Sequence, residues 1–169
     1  MTPEQALTEA RNRKLRPVYV VVGDETFLAS RVVEALIEAA ETGITAGFNI
    51  DKWQATDIDG GRAVAAALTV PMMARLRVVV IDGAEKWDRK GEESLDAIAA
   101  YAAKPVDTAL MIVRATKINA SRKLMRRAKK DNFLVKCEPL SRHELPGWIV
   151  RSAKARNNPI ARHVAETLA

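Results

Sequence analysis

Cysteine is nearly absent: Cys137 is the only one in 169 residues, which excludes an intramolecular disulfide framework. Histidine is almost as scarce. With only His143 and His163 there is no cysteine and histidine cluster of zinc-ligand spacing, and neither histidine has a nucleophile or carboxylate arranged around it, so both read as surface or capping residues. Aromatics are few, and Trp53, Trp87 and Trp148 are spread widely enough to read as packing residues. Long apolar runs are missing too: nothing approaches the roughly 18 residues of a membrane span. Met1 to Lys14 is a charged amphipathic stretch without the apolar region of a signal peptide. The expectation is a soluble, cytoplasmic protein with no membrane partner and no structural metal.

What the chain does have is ample core material, 48% apolar residues, and a formal charge of +6. Its length suits one domain, or one domain plus part of another. The positive charge permits attraction to nucleic acid or to an acidic protein surface without choosing between them. It is concentrated in the second half, where Arg114, Lys117, Arg122, Lys123, Arg126, Arg127, Lys129 and Lys130 crowd one stretch.

Val18 to Val22, Val78 to Ile81 and Ala109 to Val113 are short, continuously apolar and rich in β-branched residues. That is the pattern of strands buried on both faces of a parallel sheet. A fourth strand is expected at Phe48 to Gln54, whose mixed alternation suits a sheet edge, and a fifth at Phe133 to Cys137. Helical patterns lie between them at Phe27 to Glu41, Gly61 to Leu68, Glu92 to Ala102 and Ala120 to Asp131. Strands alternating with such helices imply βαβ units and an α/β three-layer sandwich around a parallel five-stranded sheet. After Cys137 the strand pattern stops. Pro139, Pro146 and Pro159 punctuate two helical stretches, with Ser141 and Glu144 at capping-box spacing, so a change of organisation is expected near residue 138, with 139–169 either packed on the sandwich or the start of a helical domain.

The first strand runs into Gly23-Asp24-Glu25-Thr26-Phe27-Leu28-Ala29-Ser30 and then a helix, the setting of a phosphate-binding P-loop. The chemistry is missing. A G-x-x-x-x-G-K-[ST] loop would need glycine at 28 and lysine at 29, where this chain has Leu28 and Ala29, while Asp24 and Glu25 put negative charge where an anion would sit. The third strand ends in Asp82-Gly83, which lacks the glutamate of a metal-binding acidic pair and reads as a turn. No nucleotide cofactor is expected and no catalytic site is found.

The least ordinary segment is the connection Leu68-Thr69-Val70-Pro71-Met72-Met73-Ala74-Arg75-Leu76-Arg77. Pro71 ends the preceding helix and biases Val70 away from helical geometry. Met72 and Met73 then belong to neither neighbouring element, and neighbouring side chains in such a loop diverge, so at least one is a candidate partner anchor.

Together these residues resemble a known family, the delta subunit of the bacterial DNA polymerase III clamp loader. The matching features are Pro17-Val18-Tyr19 leading to Gly23-Asp24-Glu25-x-Phe27-Leu28, the Thr69-Val70-Pro71-Met72-Met73 loop before Arg77-Val78-Val79-Val80, and Gly83-Ala84-Glu85-Lys86. Later come Lys136-Cys137-Glu138-Pro139-Leu140 and Glu144-Leu145-Pro146-x-Trp148-Ile149. The resemblance implies an AAA+-type domain with a degenerate P-loop over residues 1–138 and the beginning of a helical lid over 139–169. It implies a non-catalytic loader subunit that binds the sliding clamp (the beta subunit) and helps open it for loading on DNA, beside other loader subunits. As part of the polymerase III holoenzyme it would share a nucleotidyltransferase label. In the family the loop before the third strand, a proline followed by a leucine-phenylalanine pair, plugs a hydrophobic pocket on the clamp. Here that implies Val70, Pro71, Met72 and Met73 as the clamp-binding residues, with Met-Met keeping the apolar volume and losing the aromatic ring. The helix from Phe27, with Arg31 and Glu34, is the neighbour the resemblance implies.

The basic helix offers a rival reading, an α/β nucleic-acid-binding domain of a replication or repair factor. Arg122, Lys123, Arg126, Arg127 and Lys130 are its candidate DNA contacts, phosphate-only and salt-sensitive. Without interleaved aromatics they do not form a single-strand stacking platform, and DNA is expected as an indirect or weak partner.

Overall fold

The computed structural model describes residues 1–41, 47–90, 92–139, 143–155 and 157–168. Two compact units emerge, Met1–Cys137 and Glu138–Ala169. The first contains five parallel strands, β1 (Val18–Val22), β2 (Ile50–Gln54), β3 (Arg77–Asp82), β4 (Ala109–Ala115) and β5 (Leu134–Lys136), in the order β2-β3-β4-β1-β5. Six helices accompany them: α1 (Pro3–Arg11), α2 (Thr26–Ala40), α3 (Gly60–Ala67), α4 (Glu85–Lys90), α5 (Glu93–Tyr101) and α6 (Lys123–Lys130). This is the expected parallel five-stranded α/β sandwich, with β2 at an edge as its mixed pattern predicts.

Alternation along each strand divides the core into two layers. Val18, Val20, Val79, Ile81, Met111 and Val113 join Ala63, Trp87, Leu95, Ile98 and Leu124 in one cluster beneath α3 to α6. The intervening residues Tyr19, Val21, Val78, Val80, Leu110 and Ile112 are buried as well, as are Leu28, Val32, Leu36 and Ile37 on the inner face of α2. α1 packs on α2, its first turn closed by a capping box between Thr2 and Gln5. Strands covered on both sides can be apolar at every position, which is why the three central ones read so plainly.

Two elements start two or three residues later than the sequence reading has them, and one helix is additional. β2 starts at Ile50, leaving Phe48 and Asn49 in the turn before it. α6 starts at Lys123 because Asn119 Oδ1 accepts the Ser121 N–H at 3.0 Å and folds that segment into a turn. α4 was not expected; only Trp87 of its six residues is buried, so it has no periodic apolar face to read. The second unit holds α7 (Leu145–Ala155) and α8 (Arg162–Thr167), which pack on each other. The expected Ser141 and Glu144 capping box lies partly outside the described residues.

Candidate functional site

Parallel strands place all carboxyl ends at one edge of the sheet, where α/β proteins ordinarily bind ligands. There the amides of Gly23, Glu25 and Phe27, in the loop where a P-loop would cradle phosphate, are turned to protein acceptors. Gly23 N–H donates to the Ala115 carbonyl at 3.3 Å, and Glu25 N–H to the Cys137 carbonyl at 3.0 Å. The Glu25 carboxylate accepts the Phe27 N–H at 3.2 Å and caps α2. Gly23 has φ +148°, and a Cβ there would stand 1.9 Å from the Cys137 carbonyl oxygen. Glycine is needed for closure against β5, not for approach to a phosphate. Leu28 and Ala29, at the positions of the P-loop glycine and lysine, are buried in the core.

The end of β3 is equally self-contained. Asp82 Oδ1 accepts the Gly83 N–H at 2.9 Å in a turn with Gly83 at φ +72°, and its Oδ2 faces Arg114 at 3.5 Å. Among the described residues, no three histidine, cysteine or acidic side chains are grouped to hold a metal.

The methionine loop occupies the opposite edge, ahead of β3. Val70, Met72 and Met73 are 81%, 65% and 87% exposed, while Pro71 is partly covered. Exposed apolar side chains in this loop are what the sequence predicts at this position. The loop has a scaffold that the sequence did not reveal. Asn49, buried at the foot of β2, donates from Nδ2 to the Met72 carbonyl at 2.9 Å and accepts the Met72 N–H on Oδ1 at 2.6 Å. Its neighbour Phe48 is 78% exposed, so an aromatic ring stands in the segment bonded to the loop. An asparagine and a phenylalanine at the head of a strand-like pattern carried no signal of this; their link to Met72 exists only once β2 and β3 pair.

α2 begins at the carboxyl edge, with Phe27 and Arg31 in its first turns and the Arg31 guanidinium 5.9 Å from the Phe27 ring centre. Its far end is what approaches the loop: Ala39 and Ala40 share a cavity of 460 Å³ with Arg75 and Leu76. Arg31 and the methionines therefore lie toward opposite edges.

The five candidate DNA contacts divide. Arg122 binds Asp88 and Glu92, Lys123 binds Asp96 at 2.6 Å, and Arg127 binds Asp131 within α6. Burial is the largest single influence on Asp88 and opposes its ionisation, but the hydrogen bonds from Arg122 and the Asn119 amide together with the Arg122 charge outweigh it and hold that carboxyl below its usual range. Arg126 and Lys130 have no ion pair among the described residues. At the domain's end Cys137 is buried, and burial pushes its thiol up to about 11, so it is an un-ionised core thiol.

A family model described as DNA polymerase III, delta subunit matches residues 19–138. This chain belongs to that family. The delta subunit of Bacillus subtilis DNA polymerase III is 26% identical to it, over 92% of this chain and 47% of the relative. The solved structure of a Bacillus subtilis DNA clamp loader delta protein superposes with a TM-score of 0.85 at 22% identity, over 98% of this chain and 51% of that one. A DNA polymerase III gamma subunit-related protein of Thermotoga maritima aligns at a TM-score of 0.54 and 12% identity, over 97% and 58% of the two chains. The delta-family chain spans about half the length of the delta relatives it matches. Its fold is the parallel five-stranded α/β sandwich that the resemblance implies.

Proposed function

We propose that this delta-family domain binds a sliding clamp through Val70, Pro71, Met72 and Met73 and helps open it for loading on DNA. The remaining subunits of the cytoplasmic loader would supply ATP hydrolysis, and residues 139–169 would begin the lid. The observation that carries this reading is the exposure of three apolar side chains at one loop tip, while at the opposite edge the Gly23, Glu25 and Phe27 amides are bonded to protein acceptors. Burying both methionines contributes about 3–6 kcal/mol before ordering costs, which is too little for a lasting complex alone. Phe48 supports the reading as a further apolar contact, supplying a ring that the Met-Met pair lacks.

Replacing Met72 and Met73 together with alanine lowers clamp affinity by roughly 100-fold or more, as for paired hot-spot residues. Folding stability stays within the range of surface substitutions, about 0.5 kcal/mol. Surface plasmon resonance on the intact protein with its cognate clamp, paired with thermal melts, checks both. Unchanged affinity, or a large loss of stability, refutes the assignment.

A further inference from the structure

We infer that Asn49 is the positioning residue of the methionine loop, holding Met72 and Met73 in a binding-ready conformation while itself remaining out of reach of a partner. The inference rests on the clamp reading above and names what gives that site its shape.

Asn49 ties the middle of the loop to the start of β3. Its side chain bonds the N–H and the carbonyl of Met72, and its own carbonyl accepts the Val78 N–H at 2.7 Å, the second residue of β3. A carboxamide presents one donor and one acceptor in a plane, as a peptide group does, so this is a two-bond bridge such as one strand makes with another. Aspartate lacks the donor and would set a charge against the Met72 carbonyl; serine is too short to span the pair. Among the described residues Asn49 is the polar or charged side chain that is buried, and buried polar groups are retained where their hydrogen bonds are satisfied.

The next residue shows what the grip achieves. Met73 stands at φ +51°, a left-handed conformation that a non-glycine residue keeps only when its surroundings enforce it. With Met72 fixed and Met73 turned into that region, both side chains are exposed. The Asp51 and Arg77 ion pair across β2 and β3 steadies the same corner. A loop held this way avoids the ordering cost of binding. Released, it visits the competent shape only part of the time, and apparent affinity falls by that fraction.

The test compares Asn49→Asp, which keeps size and one acceptor, and Asn49→Ala with the Met72→Ala, Met73→Ala double variant, all in the intact protein. Residue-resolved amide exchange and affinity for the cognate sliding clamp are measured on each. Asn49→Ala is expected to lose protection at the Met72 amide while Val79 to Ile81 stay protected, and Asn49→Asp, which keeps the acceptor for that amide and loses the donor to the Met72 carbonyl, to lose less of it; both bind the clamp more weakly, the alanine variant roughly ten-fold. A merely structural role would lower protection throughout β3 as well. Unchanged Met72 protection, or lost protection with unchanged clamp affinity, overturns the inference while a weakened methionine variant leaves the clamp reading standing. Unchanged affinity in the methionine variant overturns the clamp reading and this inference with it.

Discussion

Glu25 determines the character of the carboxyl edge as much as the missing lysine does. Its carboxylate supplies the negative charge that the start of α2 favours, and its amide is spent on Cys137. Adding the lysine back is therefore not enough: Ala29→Lys is expected to show no saturable micromolar ATP binding by calorimetry, and such binding would overturn this account. Glu9 is a second residue whose partners decide its behaviour. It accepts from Arg16 at 2.7 Å and from the Tyr19 hydroxyl at 2.6 Å, tying α1 to β1. Burial opposes its ionisation, yet the bonds from Arg16 and Tyr19 prevail and hold the carboxyl below the ordinary 4.5. A carboxyl titrating lower in the folded state stabilises fully above its unfolded pKa and loses that contribution as pH falls through the folded value. Glu9→Gln is thus expected to cost about 1–3 kcal/mol at pH 7, and the gap from the parent protein narrows in denaturant melts at acid pH. A gap that widens on acidification would contradict the sign.

Among the elements, α6 shows how far a charge run can mislead. Its sequence offers five candidate phosphate contacts, but Arg122, Lys123 and Arg127 fasten α6 to α4 and α5 or to its own end. Any duplex affinity of the protein then draws on Arg126 and Lys130: replacing both with alanine flattens the dependence of log affinity on log salt by about 1.8. Replacing Arg122 and Lys123 lowers the melting temperature and leaves that slope alone. Fluorescence anisotropy across a salt series separates the two, and a slope that follows Arg122 and Lys123 would show that they leave their carboxylates. The same contrast explains what was legible. Val78 to Ile81 and Ala109 to Val113 could be read because both faces are covered, and Pro71 because proline acts locally on the chain. The partners of Arg122 lie about 30 residues away, and Asn49 meets Met72 across 23; neither bond leaves a mark on local pattern. The exposed methionines were legible, and what holds them was not.

At the scale of the molecule, Cys137 sits where the α/β unit closes. Its N–H donates to the Val22 carbonyl at 2.7 Å, its carbonyl receives the Glu25 amide, and its side chain is buried. Exposing it requires β5 to leave β1, and β5 is only three residues long, so two routes compete: detachment of that edge alone, or opening of the sheet. Several ties oppose the first. The amino group of Met1 donates to the Leu134 carbonyl at 2.7 Å, Lys136 donates to Met1, and Phe133 O accepts from Val20, so β5 is held from its outer side by the root of α1 and from its inner side by β1. Leu134 and Phe133 also belong to the main apolar cluster, and peeling them away would expose the core over α6. Labelling of Cys137 by a thiol reagent is therefore expected to follow global unfolding, slower in the native protein than in the denatured chain by a factor of about 10³ or more. Its denaturant dependence should match the equilibrium m-value of the α/β unit, because the surface exposed is the same. Rapid labelling without denaturant, or a much shallower dependence, would mean that β5 opens by itself.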